Sequence, residues 1–183
     1  MLEAAARLVH QRGYRGVSLN DILTESDAPR GSLYHHFPEG KDQLVQEAML
    51  REVERIDRFL LEAFHEAADP VEGVRAYVGA AAEELQSSGF VLGCPVAPVI
   101  LDSPEASSNL ARACRESIER WHRILRNRFL DAGLPSPRAE SLAVLVVSAV
   151  EGALILARGS RDIAPLDRVQ EELATVLADA LSA

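Results

Sequence analysis

Between Ser18 and Lys41 the chain gathers side chains suited to contact with a polyanion and with base edges. Arg30 can reach a guanine edge or a phosphate. Gly31 has no side chain and lets a backbone approach closely. Ser32, Tyr34, His35 and His36 supply hydroxyl and ring donors at short reach. Lys41, the only lysine of the chain, stands where a long apolar-periodic segment begins. Free N–H groups and the positive dipole end of a helix favour phosphate at such a place.

Bond-making chemistry is poorly served. No nucleophile elbow, phosphate-binding loop or dinucleotide fingerprint occurs. His65-Glu66-Ala67-Ala68-Asp69 falls short of a zinc-protease motif, because its last position is Asp69. His35 and His36 are adjacent, diverge on a helix and make a poor metal pair. Cys94 and Cys114 build no disulfide framework. Nothing basic lies near Cys94 in sequence to activate its thiol, so a small buried hydrophobe is expected there. The expectation is a non-enzyme with no metal and no cofactor.

The elements that must hold these residues are helical throughout. Leu2, Ala5, Ala6 and Val9 mark one face of a first helix that stops at Gly13. Ser18 and Asp21 make a capping-box start for a short helix to about Glu25. After Ser26-Asp27-Ala28, Pro29 opens a third helix that runs to about His36. Two short helices joined by a tight turn, with another in front, form a helix-turn-helix pattern. Its second helix can enter a DNA major groove. A capped helical hairpin with a polar solvent face is the alternative reading of the same spacing.

A long amphipathic helix is expected from Lys41 to Ala68, and another from Pro70 to Ser87. Ser88 to Pro104, rich in glycine and proline, reads as irregular. A further stripe joins Leu110, Cys114, Ile118, Trp121, Leu125 and Phe129. The segment Arg138 to Arg158 is apolar nearly all round and must be buried on more than one side. The last helix spans about Ala164 to Leu181. The longest apolar run, Leu142 to Ala157, falls short of the roughly 20 residues of a membrane span. No export signal stands at Met1, so a cytoplasmic protein with no membrane partner is expected.

The 183 residues carry 19 Lys+Arg against 28 Asp+Glu, a net charge of −9. That argues against a simple basic nucleic-acid binder. The acid is unevenly spread. Residues 1–51 hold six basic and seven acidic side chains, net −1, and the remainder holds 13 against 21, net −8.

Gly13-Tyr14-Arg15-Gly16-Val17-Ser18-Leu19-Asn20-Asp21-Ile22, followed by Arg30-Gly31-Ser32-Leu33-Tyr34-His35-His36-Phe37-Pro38, resembles the DNA-binding domain of the tetracycline-repressor (TetR) family. Phe37-Pro38-Glu39-Gly40-Lys41, Gly93-Cys94-Pro95 and Glu151-Gly152-Ala153-Leu154-Ile155-Leu156-Ala157-Arg158 resemble the LmrA/YxaF-like subgroup. The resemblance implies an all-α fold: a three-helix helix-turn-helix domain at 1–45, then a helical effector-binding and dimerisation bundle at 46–183. It implies that Arg30, Gly31 and His35 face bases, and that Ser18, Ser32, Tyr34, His36 and Lys41 hold phosphates. Leu19, Ile22, Leu33 and Phe37 would be core.

Two positions depart from the family pattern. Asp27 stands where glycine is usual, and Asp can enter the left-handed region at modest cost. Val17 stands where many relatives have threonine, which removes one hydroxyl. The family's basic segment ahead of the first helix is also absent, so lower phosphate affinity or an upstream start is expected.

Further implications are a small hydrophobic effector, a homodimer and a palindromic operator in double-stranded DNA. The expected function is a ligand-responsive regulator, a repressor released by its effector. Tyr77, Cys94, Trp121, Leu125 and Glu151 are the candidate effector contacts. Plain core packing is the alternative for the apolar ones. Glu151 could instead pair with an arginine or reach solvent. An all-α enzyme or carrier, and a DNA binder with a vestigial pocket, are the competing functions.

Overall fold

The computed structural model describes residues 1–102 and 108–182. Among them run nine helices and no strand: α1 (Leu2–Arg12), α2 (Leu19–Ser26), α3 (Arg30–His36), α4 (Lys41–Glu66), α5 (Pro70–Ser87), α6 (Ala97–Asp102), α7 (Ser108–Asp131), α8 (Ser136–Ser160) and α9 (Ala164–Ser182). The all-α class and the order of a helix-turn-helix followed by a longer helical region are as the sequence implies.

Local chemistry sets the helix ends. The Asp21 amide donates to Ser18 Oγ (3.2 Å) and the Ser18 amide donates to the Asp21 carboxylate (2.8 Å), a complete capping box. Asp69 Oδ1 accepts from the amides of Val71 (2.8 Å) and Glu72 (3.0 Å), and Pro70 follows in the first turn of α5. α1 stops at Gly13, whose φ of +73° suits a residue without Cβ.

α6 departs from the expectation. It lies inside the stretch that glycine and proline mark as irregular. Pro98 is its second residue, where a missing N–H harms nothing. Cys94 Sγ accepts from the Ala97 amide (3.4 Å) at its start. Pro104 lies outside the described residues.

The chain forms two compact units. The first takes residues 1–55 and 94–117. Its core includes Leu8, Val17, Ile22, Leu33, Leu44, Met49, Val53 and Leu110, each at most 3% exposed. Phe37 is buried as expected, but Leu19 is only half-buried, on the rim of that core. Val17, lacking the hydroxyl common in relatives, is a core residue at 2% exposure.

The second unit takes residues 56–93 and 118–183. Within it α9 packs against both α5 and α8. Arg75 of α5 forms a two-pronged ion pair with Glu171 of α9. In this unit α4 and α7 run side by side in the same direction: Asp57 meets Arg120, and Phe64 meets Phe129 with ring centroids 6.4 Å apart.

α8 is 25 residues long and apolar enough to cross a membrane by length and composition. That length exceeds the apolar run visible in sequence. Ala139, Leu142, Ala143, Val146, Val147, Val150, Ala153 and Ala157 are buried within the fold, which accounts for its composition as a core helix.

Candidate nucleic-acid interface

α2 and α3 are joined by residues 27–29. Asp27 closes α2 with φ 49° and ψ 37°, the left-handed conformation expected of it. Its amide donates to the Leu23 and Thr24 carbonyls of the last turn. Leu33 and Ile22 have no solvent exposure, and Phe37 has 6%. These three hold α3 down on one side.

The opposite side of α3 carries the predicted contact residues. Arg30, Gly31, Tyr34, His35 and His36 are exposed, and Ser32 is half-buried. Tyr34 is 55% exposed, which is unusual for a large ring without a partner surface. Nothing stands within 4 Å of where a Cβ on Gly31 would lie, so a backbone or phosphate could approach there. The His35 and His36 rings are edge-on to one another, with centroids 5.0 Å apart.

Arg30 and Lys41 are held by partners to which the sequence motif assigns no role. Arg30 donates through Nη2 to Asn20 Oδ1 of α2, which fixes the direction of the guanidinium. Lys41 Nζ donates to the Tyr14 carbonyl (2.6 Å) and lies over the Tyr14 ring, 4.0 Å from its centroid. Burial holds the Lys41 ammonium below its ordinary pKa, against the opposing charges of Asp42 and Asp102. The Tyr14 hydroxyl donates to Asp42. Its pKa is pushed up to about 12, mainly by burial, then by the hydrogen bond and charge of Asp42.

Three other cations of this unit are paired: Arg7 with Glu25, Arg12 with Asp21 (3.7 Å) and Arg51 with Glu3 (3.6 Å). Arg15 is exposed, and its guanidinium has no partner among the described residues. Its backbone amide donates to Asp102 of α6 (3.4 Å). Ser18 is exposed too, but its hydroxyl is engaged with Asp21 in the cap.

The predicted effector contacts divide between the units. Cys94 belongs to the first unit, half-buried rather than buried, with its sulfur turned to the start of α6. Tyr77, Trp121, Leu125 and Glu151 belong to the second. Trp121 and Leu125 are buried, while Tyr77 and Glu151 are half-buried. One feature is invisible in the sequence. Trp121 Nε1 and Asp57 Oδ1 are buried and lack a hydrogen-bond partner among the described residues. An unmet buried donor or acceptor costs about 1–3 kcal/mol.

The comparisons with known proteins agree with this geometry. The profile of the bacterial regulatory proteins of the TetR family matches residues 1–48. That of the LmrA/YxaF-like transcriptional regulator C-terminal domain matches residues 70–172. An HTH-type transcriptional regulator of Mycobacterium tuberculosis is 36% identical, over 97% of this chain and 92% of its own length. The HTH-type transcriptional regulator LmrA of Bacillus subtilis is 32% identical, over 91% of this chain and 88% of its own. The crystal structure of a TetR transcriptional regulator from Legionella pneumophila superposes with a TM-score of 0.87 at 22% identity, covering 96% of this chain and 94% of that one. These relatives are DNA-binding regulators and not enzymes. This chain accordingly belongs to the TetR family of bacterial transcriptional regulators, in its LmrA/YxaF-like branch.

Proposed function

We propose that the protein is a repressor that binds a palindromic operator as a homodimer and is released by a small hydrophobic effector. The observation that carries the reading is the outward row on α3. Its inward side is fixed by Ile22, Leu33 and Phe37, while Arg30, Gly31, Tyr34, His35 and His36 stay exposed. A seven-residue helix binds DNA weakly by itself, so two copies on two half-sites must share the energy.

In this reading Arg30, Gly31 and His35 read base edges, and Ser18, Ser32, Tyr34, His36 and Lys41 meet phosphates. Residues 1–45 serve DNA, and residues 46–183 serve effector and dimer. Tyr77, Trp121, Leu125 and Glu151 are effector contacts, with Cys94 on the connector between α5 and α6. The recognition helices of the dimer stand about 34–36 Å apart, one DNA turn. α4 is unbroken from Lys41 to Glu66, so a shift of its second half on effector binding is carried to Lys41. A coupling of about 1–3 kcal/mol is typical. A DNA target places the protein in the cytoplasm.

The test is a titration of labelled duplex from the gene's own upstream region at moderate salt. Binding at least about 1,000-fold tighter than to random DNA is expected. Equal affinity for both duplexes would remove the repressor reading.

A further inference from the structure

We propose that Asp102 is a positioning residue for Lys41: through the Tyr14–Arg15 peptide group it fixes where the ammonium is offered to a phosphate. The proposal rests on the phosphate role given to Lys41 above. All the residues concerned belong to the first unit.

One peptide group joins the two side chains. Its oxygen is the Tyr14 carbonyl, which accepts from Lys41 Nζ at 2.6 Å. Its nitrogen is the Arg15 amide, which donates to Asp102 Oδ2 at 3.4 Å. The C=O and N–H of a trans peptide point in opposite directions. Asp102 and Lys41 therefore stand on opposite sides of one rigid plane. The N–H bond is long, but its acceptor is charged, which polarises the group and makes the oxygen a better acceptor for an ammonium. Against the cost of burial, the charges of Asp42 and Asp102 favour the ammonium form of Lys41.

The carboxylate is seated by more than that bond. A Cβ on Gly13 would run into Asp102 Oδ2, so the oxygen occupies room that only glycine leaves. Asp102 is carried there by α6, whose own seat is apolar. Val99, one turn earlier, is 1% exposed and lines a small cavity with Ala5 and Val9 of α1 and Val45 and Met49 of α4. The helix itself does not call for a carboxylate as its last residue, because negative charge at a C-terminus opposes the dipole. The loop that Asp102 meets accounts for it.

Lys41 is the only lysine of the chain, so protein grown on 13C-labelled lysine gives one ε-methylene signal. The Tyr14 ring, its centroid 4.0 Å from Nζ, shifts that signal upfield while the ammonium is held over it. Asp102→Asn keeps an acceptor oxygen and Asp102→Ala does not, yet the two carry the same charge. The signal is expected to stay upfield in Asp102→Asn and to move to the position of a free lysine in Asp102→Ala. Duplex titrations at several salt concentrations should give a slope about one unit lower in Asp102→Ala than in Asp102→Asn. Adding Lys41→Ala should lower the slope in Asp102→Asn and leave it unchanged in Asp102→Ala. Gly13→Ala keeps the carboxylate but drives it off the Arg15 amide. It should reproduce Asp102→Ala, and it serves if that variant fails to fold.

An ε-methylene signal that keeps its place in Asp102→Ala or Gly13→Ala would overturn the proposal and leave the phosphate role standing. So would equal salt slopes in Asp102→Ala and Asp102→Asn. A slope that Lys41→Ala leaves unchanged in the parent chain would remove the phosphate role, and the proposal with it.

Discussion

In the phosphate role proposed for it, Lys41 has a side chain that its neighbours prepare. The Tyr14 carbonyl and ring hold its ammonium in place, so little side-chain entropy remains to be lost when a phosphate arrives. Lys41→Ala is expected to weaken binding of all duplexes alike and to lower the salt slope by about one. Titrations at several salt concentrations check this, and an unchanged slope would refute the phosphate role. Cys114 yields a prediction in pH. Burial pushes its thiol up to about 11, above the ordinary 9.0. The folded form therefore holds the proton more tightly than the unfolded one. The stability this supplies is complete below pH 9 and fades as pH rises towards 11. Denaturant midpoints should fall across that window, and by less in Cys114→Ala. Gly73 yields a third. A Cβ there would run into the buried ring of Phe64. Gly73→Ala should lose about 1–3 kcal/mol by overpacking, read from the same midpoints.

At the scale of elements, the turn between α2 and α3 sets how the recognition helix is offered. Asp27 sits there in the left-handed region. Asp27→Gly removes that strain but gives the unfolded chain more freedom, so a net gain of only about 0.5 kcal/mol is expected, with DNA affinity unchanged. A loss of stability would mean that the Asp27 side chain contributes more than its backbone suggests. The helix ends were legible in the sequence because their causes are local: Ser18 with Asp21, Asp69 with Pro70, and Gly13 all act within a few residues. α6 was not, since six residues containing a proline show no apolar period. The outward face of α3 was legible through the family resemblance, which makes Leu33 and Phe37 core. Its supports were not. Asn20 reaches Arg30 across ten residues and Tyr14 reaches Lys41 across 27, and only the folded chain brings them together. The unmet Trp121 and Asp57 atoms are hidden for the same reason, because a missing partner leaves no mark on a sequence.

For the molecule as a whole, charge and apolar surface both bear on assembly. The DNA-binding region is close to neutral and the remainder carries net −8, so bulk attraction to DNA is weak. Affinity must come from geometry, which makes the number of half-sites engaged decisive. α8 leaves Ile155 61% and Leu156 64% exposed, beside Val144 and Leu145 at more than 40%. Side chains this apolar in such a row mark a surface that association would cover. Two copies meeting through it form an isologous contact, in which any substitution counts twice. Leu156→Glu places a carboxylate in that contact and faces a second one across the two-fold axis. The monomer fold should be little affected, since the position is exposed, within about 0.5 kcal/mol by denaturant unfolding. Sedimentation should show a dimer for the parent chain and a monomer for the variant. Operator affinity should collapse, and the salt slope should fall by about half because only one half-site's phosphates are then met. A variant that remains dimeric would place the subunit contact elsewhere. A variant that is monomeric yet binds the operator with full affinity would show that one recognition helix suffices, and would remove the dimer from the mechanism.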